Sequence, residues 1–168
     1  MSKKIGHVVS VNGNMVNVEF DTAVTKNEVA YILVDDTRLK GEVIRINGNI
    51  ASLQVYEMTT GVAVGDEVEF SGELLSVELG PGLLSQVYDG LQNPLPDLAD
   101  KCGFFLQRGV YLDAIPDRDW HFTPVVKKGD KVSAGDTLGT VPEGVFTHHI
   151  MVPFDVSGQW TVDSVVAE

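Results

Sequence analysis

Gly41-Glu42-Val43-Ile44-Arg45-Ile46, then Asn47-Gly48-Asn49, then Ile50-Ala51-Ser52-Leu53-Gln54-Val55-Tyr56 decides how the first part of this chain folds. Two runs rich in β-branched residues flank an Asn-Gly pair, and both residues of that pair tolerate positive φ, which makes the stretch a tight hairpin. The same signal stands upstream, where Asn12-Gly13-Asn14 separates Ile5–Val11 from the mostly alternating Met15–Phe20. Val29–Val34 reads as a continuous apolar strand, and Glu67-Val68-Glu69-Phe70 as another, entered through Val64-Gly65-Asp66. About six short strands with no helix among them predict a small closed β-barrel over residues 1–72. Closing the sheet removes the exposed edges through which open sheets aggregate.

Beyond the barrel the pattern changes. Apolar residues at Leu83, Leu84, Val87, Tyr88 and Leu91 have helical spacing. Gly80-Pro81-Gly82 precedes them and Asn93-Pro94-Leu95-Pro96 follows, so one short helix is expected over 83–91, stopped by the prolines. Pro94–Lys101, polar and proline-bearing, reads as a linker. From Gly103 strand-like runs return: Phe104-Phe105-Leu106, Trp120–Val126, Lys128–Val141, His148–Pro153 and Gly158–Val162. Glycine and aspartate at each turn, with valine and leucine between, describe a second compact β domain of tight turns. Gly-Asp recurs at 65–66, 129–130 and 135–136 without a fixed period, so it is not a sequence repeat. The fold class expected is therefore mainly β: a closed barrel, one short helix and a second small β domain. No helix and no capping signal precede Glu168, and the stop there reads as a boundary within a longer protein.

Composition narrows the function classes. The 168 residues suit one domain or two small ones, and 43% hydrophobic with 21% charged is ordinary for a globular core. Twelve basic against twenty-four acidic residues give a net charge of −12, which repels phosphate backbones and anionic lipid heads. Nucleic acid and direct membrane contact are thus excluded as partners. The single Cys102 leaves no disulfide framework and fits a reducing cytosol. No apolar stretch follows Lys3-Lys4 to make a signal peptide, and no uncharged run of about 18 residues could span a bilayer.

Catalytic chemistry finds little support. A phosphate-binding loop of the P-loop kind needs Gly-Lys-Ser or Gly-Lys-Thr, and neither occurs. Gly80-Pro81-Gly82 has the glycines, but its proline removes an amide that a phosphate would need, which favours a structural turn. His148 and His149 are adjacent, so on a strand they point to opposite faces and cannot chelate one ion together. Lys101 would lower the Cys102 thiol pKa while Asp97 and Asp100 would raise it, so no activated nucleophile is visible. No catalytic, cofactor or metal residue is expected. Asp117-Arg118-Asp119-Trp120 suits either a partner clamp built of charge and an aromatic anchor or a local salt-bridged turn. Val126–Gly139 resembles the strand-turn-strand of lipoyl and biotinyl carrier domains, but Asp130-Lys131-Val132 lies upstream of the hairpin tip where the modified lysine belongs.

Three stretches together resemble the A subunit of V-type (vacuolar or archaeal-type) rotary ATPases. Gln54-Val55-Tyr56-Glu57-Met58-Thr59-Thr60-Gly61 is similar to a motif at the end of that family's barrel. Leu75–Leu84, continuing through Tyr88-Asp89-Gly90-Leu91-Gln92 to Pro94-Leu95, is the strongest match. Trp120-His121-Phe122-Thr123-Pro124, Gly139–Glu143 and His149–Pro153 resemble the family's inserted bulge. The resemblance implies a barrel at 1–72 in the collar of a hexamer of alternating A and B subunits. It implies an entry into the nucleotide-binding domain at 73–100, and a bulge at 101–168 that faces peripheral-stalk subunits and is itself incomplete. Gly80, Pro81, Gly82, Asp89 and Gly90 would be its structural motif. Leu83, Leu84, Val87 and Leu91 would offer apolar surface to the catalytic domain, with Trp120 a further contact. ATP, Mg and the P-loop would belong to the intact subunit, beyond residue 168, and the complex would be peripheral to a membrane on its cytoplasmic side. A stand-alone β-rich binding module and a carrier domain are the other readings.

Overall fold

The computed structural model describes residues 4–165. They form two compact units, one made of residues 4–77 with Asp97–Leu112 and the other of Glu78–Pro96 with residues 113–165.

In the first unit six strands close into a barrel. They are β1 (Lys4–Asn12), β2 (Met15–Phe20), β3 (Glu28–Val34), β4 (Thr37–Asn47), β5 (Ile50–Val55) and β6 (Glu67–Leu74). Their order is β1-β2-β5-β4-β3-β6, and every pairing is antiparallel, with β6 returning to β1 through Ile5↔Glu69 and Gly6↔Val68. The hairpins expected at Gly13 and Gly48 are present, with Asn12 opposite Met15 and Asn47 opposite Ile50. Period-two alternation turns Val16, Val18, Ala30, Ile32, Val34, Leu39, Val43, Ala51, Leu53, Val55 and Val68 into one buried cluster. The β3 run, continuous in sequence, alternates in space: Ala30, Ile32 and Val34 are buried while Tyr31 and Leu33 are half-exposed.

One acid is buried with this core. Glu28 is 1% exposed; its carboxylate accepts the Thr25 and Gly72 amides, with the Lys4 ammonium 3.9 Å away. A buried carboxylate persists only when hydrogen bonds replace its water, and here they join the start of β3 to the bend in β6.

The expected helix over 83–91 does not form. Residues 81–93 are a series of turns, with Ser85 and Gln92 both in the left-handed region. The Asp89 carboxylate captures the amides of Leu91 and Asn93, offering that backbone an alternative to helical bonds. The helix, α1, lies instead at Leu95–Cys102, the stretch expected to be a linker. Pro96 falls in its first turn, where a missing N–H costs nothing, with Asp97 in the first turn and Lys101 in the last to suit the helix dipole. Phe104-Phe105-Leu106, expected as a strand, is an exposed loop without strand pairing.

The second unit holds two small sheets. β7 (Thr123–Pro124), β9 (Thr137–Glu143) and β10 (Phe146–Met151) form one, in the order β10-β9-β7. β8 (Lys131–Val132) and β11 (Trp160–Thr161) form the other. Of the expected run Trp120–Val126, only Thr123–Pro124 is strand.

The three Gly-Asp pairs share one geometry across both units. In each, the aspartate carboxylate accepts the amide three residues back: Ala63 for Asp66, Lys127 for Asp130, Ser133 for Asp136. The turn then clamps one valine by two backbone bonds. The glycine amide donates to the valine carbonyl, and the valine amide donates to the aspartate carbonyl. The pairs are Gly65 and Asp66 with Val8, Gly129 and Asp130 with Val162, and Gly135 and Asp136 with Val152, all at 2.8–3.0 Å.

Two substitutions test this account by denaturant titration. Leu53→Ala empties a fully buried position and should destabilise the barrel by about 2–5 kcal/mol. Asp66→Ala removes a single side-chain bond to an amide and should cost about 1 kcal/mol.

Candidate functional site

The segment singled out in the sequence, Gly80 to Asn93, is laid down within the second unit against the loop Ala114–Trp120. Gly82 has φ +103, and a Cβ there would stand 2.5 Å from Pro116 and 3.3 Å from the Trp120 ring. Only glycine allows that approach in that conformation. Trp120 is half-buried, with the Arg118 guanidinium 3.7 Å above its ring, so the pair packs as a local cation–π stack. The Tyr88 hydroxyl donates to the Ala114 carbonyl at 3.0 Å.

Glu143, at the end of β9, organises this segment. Its carboxylate is 5% exposed, and one oxygen accepts the Gly82 amide at 2.7 Å and the Leu84 amide at 2.9 Å. The other lies 2.8 Å from His148 Nδ1 on β10. Burial pushes the carboxyl pKa up, but the Leu84 and Gly82 amides and His148 outweigh it and hold the group below the usual glutamate value. The amides a glycine-rich turn could offer an anion are thus occupied by the chain's own carboxylate. Asp89 repeats the device, with Oδ1 accepting Leu91 and Asn93 amides and Oδ2 the Asn93 side-chain amide. A Cβ added at Gly90 would meet open space.

The proposed contact residues divide. Leu84 and Val87 are 45% and 61% exposed, while Leu83 and Leu91 are half-buried between turns. A groove of about 340 Å³ opens beside Glu143, lined by Ser85, Gln86, Arg118 and Phe146 among others. Among the described residues no three His, Cys, Asp or Glu side chains are grouped to hold a metal ion. Sequence reading missed Glu143 and its pairing with His148. The period of two on β9 and β10 could have placed them on one face, but nothing local marks Glu143 as buried.

Because its folded pKa is depressed, Glu143 contributes stability that is present above the unfolded value, about 4.3, and lost as pH falls through the lower folded value. Fluorescence of the two tryptophans, Trp120 and Trp160, both in this unit, should show a urea midpoint that declines over that acid window. In Glu143→Gln the midpoint should be lower at neutral pH and the acid slope shallower. An unchanged slope would remove Glu143 from this role.

Comparison with known proteins agrees with this geometry. Residues 8–72 match the model of the ATP synthase alpha/beta family β-barrel domain, and residues 112–168 that of the alpha/beta subunit barrel-sandwich domain. The chain is 58% identical to the V-type ATP synthase alpha chain of Treponema denticola, over 100% of its own length and 29% of the relative's. It is 58% identical to the alpha chain 1 of Treponema pallidum over 96% of its length and 28% of the relative's. With the alpha chain of Borrelia hermsii the figures are 52%, 97% and 28%. The chain therefore spans less than a third of these relatives. Its two matched domains follow in the family's order, and the chain belongs to the V-type ATP synthase alpha-chain family, corresponding to its N-terminal part.

Proposed function

We infer that this chain is the assembly portion of the nucleotide-hydrolysing subunit of a rotary V/A-type ATPase or ATP synthase. The observation that carries the reading is the ordered match of a closed barrel and a barrel-sandwich region to alpha chains, with 58% identity along the whole length. In this reading residues 1–72 join the collar of a hexamer with B-type subunits. Residues 73–100 lead toward the nucleotide-binding domain, and 101–168 form the bulge that meets peripheral-stalk subunits. The intact subunit would bind ATP and Mg and couple its hydrolysis or synthesis to proton or sodium movement, as a peripheral, cytoplasmic part of a membrane-bound complex.

The residues of this chain support an assembly role in two ways. The buried Glu143 pins Gly80–Leu84 as structure, which leaves Gly80, Pro81, Gly82, Asp89 and Gly90 as turn-formers. Leu84 and Val87 present apolar surface that the remainder of a longer subunit would cover, and Leu83, Leu91 and Trp120 are half-buried in the same unit. No observation favours a stand-alone module. The carrier reading is weakened further because Lys131 lies on β8, paired with Thr161, and not at a hairpin tip.

Analytical ultracentrifugation of the chain with a B-type subunit of a V-type ATP synthase tests the proposal. A mixed species should form, and to the same extent with or without Mg-ATP. Independent sedimentation of the two proteins, or a complex that requires nucleotide, would sink it.

A further inference from the structure

The motif Gln54–Gly61 at the end of β5 has a task that the assembly role does not use. The chain leaves the barrel unit after Val77 and re-enters it at Asp97, and residues 108–111 lie on this motif. The platform is fixed first. The Tyr56 hydroxyl donates to Glu42 at 2.8 Å and the Thr59 hydroxyl to the Gly13 carbonyl at 2.6 Å, so both ends of the motif are tied to the barrel. Burial, and then its bond to Glu42, push the Tyr56 phenol up to about 12, so this donor keeps its proton at ordinary pH.

The returning segment then makes three polar attachments. Arg108 donates from its guanidinium to the Thr60 carbonyl. The Gly109 amide donates to one oxygen of Glu57, and the Tyr111 hydroxyl donates to the other. The same Tyr111 oxygen accepts the Lys40 amide at 2.9 Å, and the Lys40 ammonium stands 5.8 Å from the ring centre. The fit at Gly109 is close: it has φ +72, and a Cβ would run into the Thr37 methyl. Val110, Tyr111 and Leu112 are half-buried here, while the preceding Phe104, Phe105 and Leu106 project into solvent. The directed hydrogen bonds specify the segment's position, which non-directional burial alone does not.

We propose that Gln54–Gly61 is a clasp, with Glu57 as its positioning residue, that straps the returning segment 108–111 to the end of the barrel. The strap is a local device: it opens and closes without unfolding the barrel, and it sets the place from which the chain departs at Asp113 into the second unit. Both oxygens of Glu57 are committed to it, one to a backbone amide and one to a phenol. Neither glutamine, with one acceptor oxygen, nor phenylalanine at 111 can reproduce the set.

Amide hydrogen exchange on this chain tests the clasp. In Glu57→Gln the Gly109 amide should exchange about tenfold faster or more, as expected for losing a bond to a charged acceptor. In Tyr111→Phe the Lys40 amide, which loses its acceptor, should accelerate likewise. Ile32 and Leu53 in the barrel, and Gly82 and Leu84 in the second unit, should keep their parent rates in both variants. Unchanged rates at Gly109 and Lys40 would show that nothing is strapped. Acceleration at Ile32 and Leu53 to the same degree would show that the contact belongs to global unfolding, and the local strap would be wrong. Tyr111→Phe removes only one hydroxyl, so it decides the matter even where Glu57→Gln fails to fold.

Discussion

Backbone amides that no neighbouring strand can pair must still find an acceptor, and in this chain carboxylates of the chain itself supply it. A buried N–H without a partner costs as much as a lost hydrogen bond, so the turns beside Glu28 and Glu143 create a demand, while at the exposed Gly-Asp turns the carboxylate stands in for water. Glu28 meets it at Thr25 and Gly72, Asp66 at Ala63, Asp89 at Leu91 and Asn93, and Glu143 at Gly82 and Leu84. Asp130 and Asp136 do the same in the second unit. Strand ladders account for the barrel wall, but the places where the chain changes direction depend on this pairing. It also recasts the acidic composition. Part of the twenty-four acidic residues is internal architecture, and only the rest is a surface that repels anions.

How much of this was legible in sequence depended on whether the signal was local. The barrel was readable because hairpin glycines and alternation at Met15–Phe20 and Ile50–Val55 act over a few residues, and the tertiary fold agrees with them. The helix was misplaced because two local signals competed. Leu83, Leu84, Val87 and Leu91 have the right spacing, yet Asp89 and the left-handed Ser85 and Gln92 close turns there. Pro94 and Pro96 read as terminators although one of them opens the helix Leu95–Cys102. Proline carries opposite meanings at the two ends of a helix, and composition alone does not say which end is in view.

The candidate site was less legible still. Gly80-Pro81-Gly82 was visible as a structural turn, but its partner Glu143 stands some sixty residues away and bears no local mark of burial. The same holds for Glu57, whose acceptors serve Gly109 and Tyr111 far along the chain. Long-range polar pairs leave no periodicity, so a sequence shows the residues without showing the pair.

The valine clamp at Gly65-Asp66, Gly129-Asp130 and Gly135-Asp136 has an implication for how such a chain can change over time. Each clamp is self-contained, four residues of turn and one valine in or just after a strand, and it grips Val8, Val162 or Val152 regardless of how much chain lies between. Lengthening an intervening loop adds only loop-closure entropy, about 0.6 kcal/mol for each doubling. Insertions confined to the loops between turn and valine, outside the strands, should therefore cost no more than substitution of the aspartate. The clamp behaves as a portable joint, and that portability is why one device serves two units of different topology.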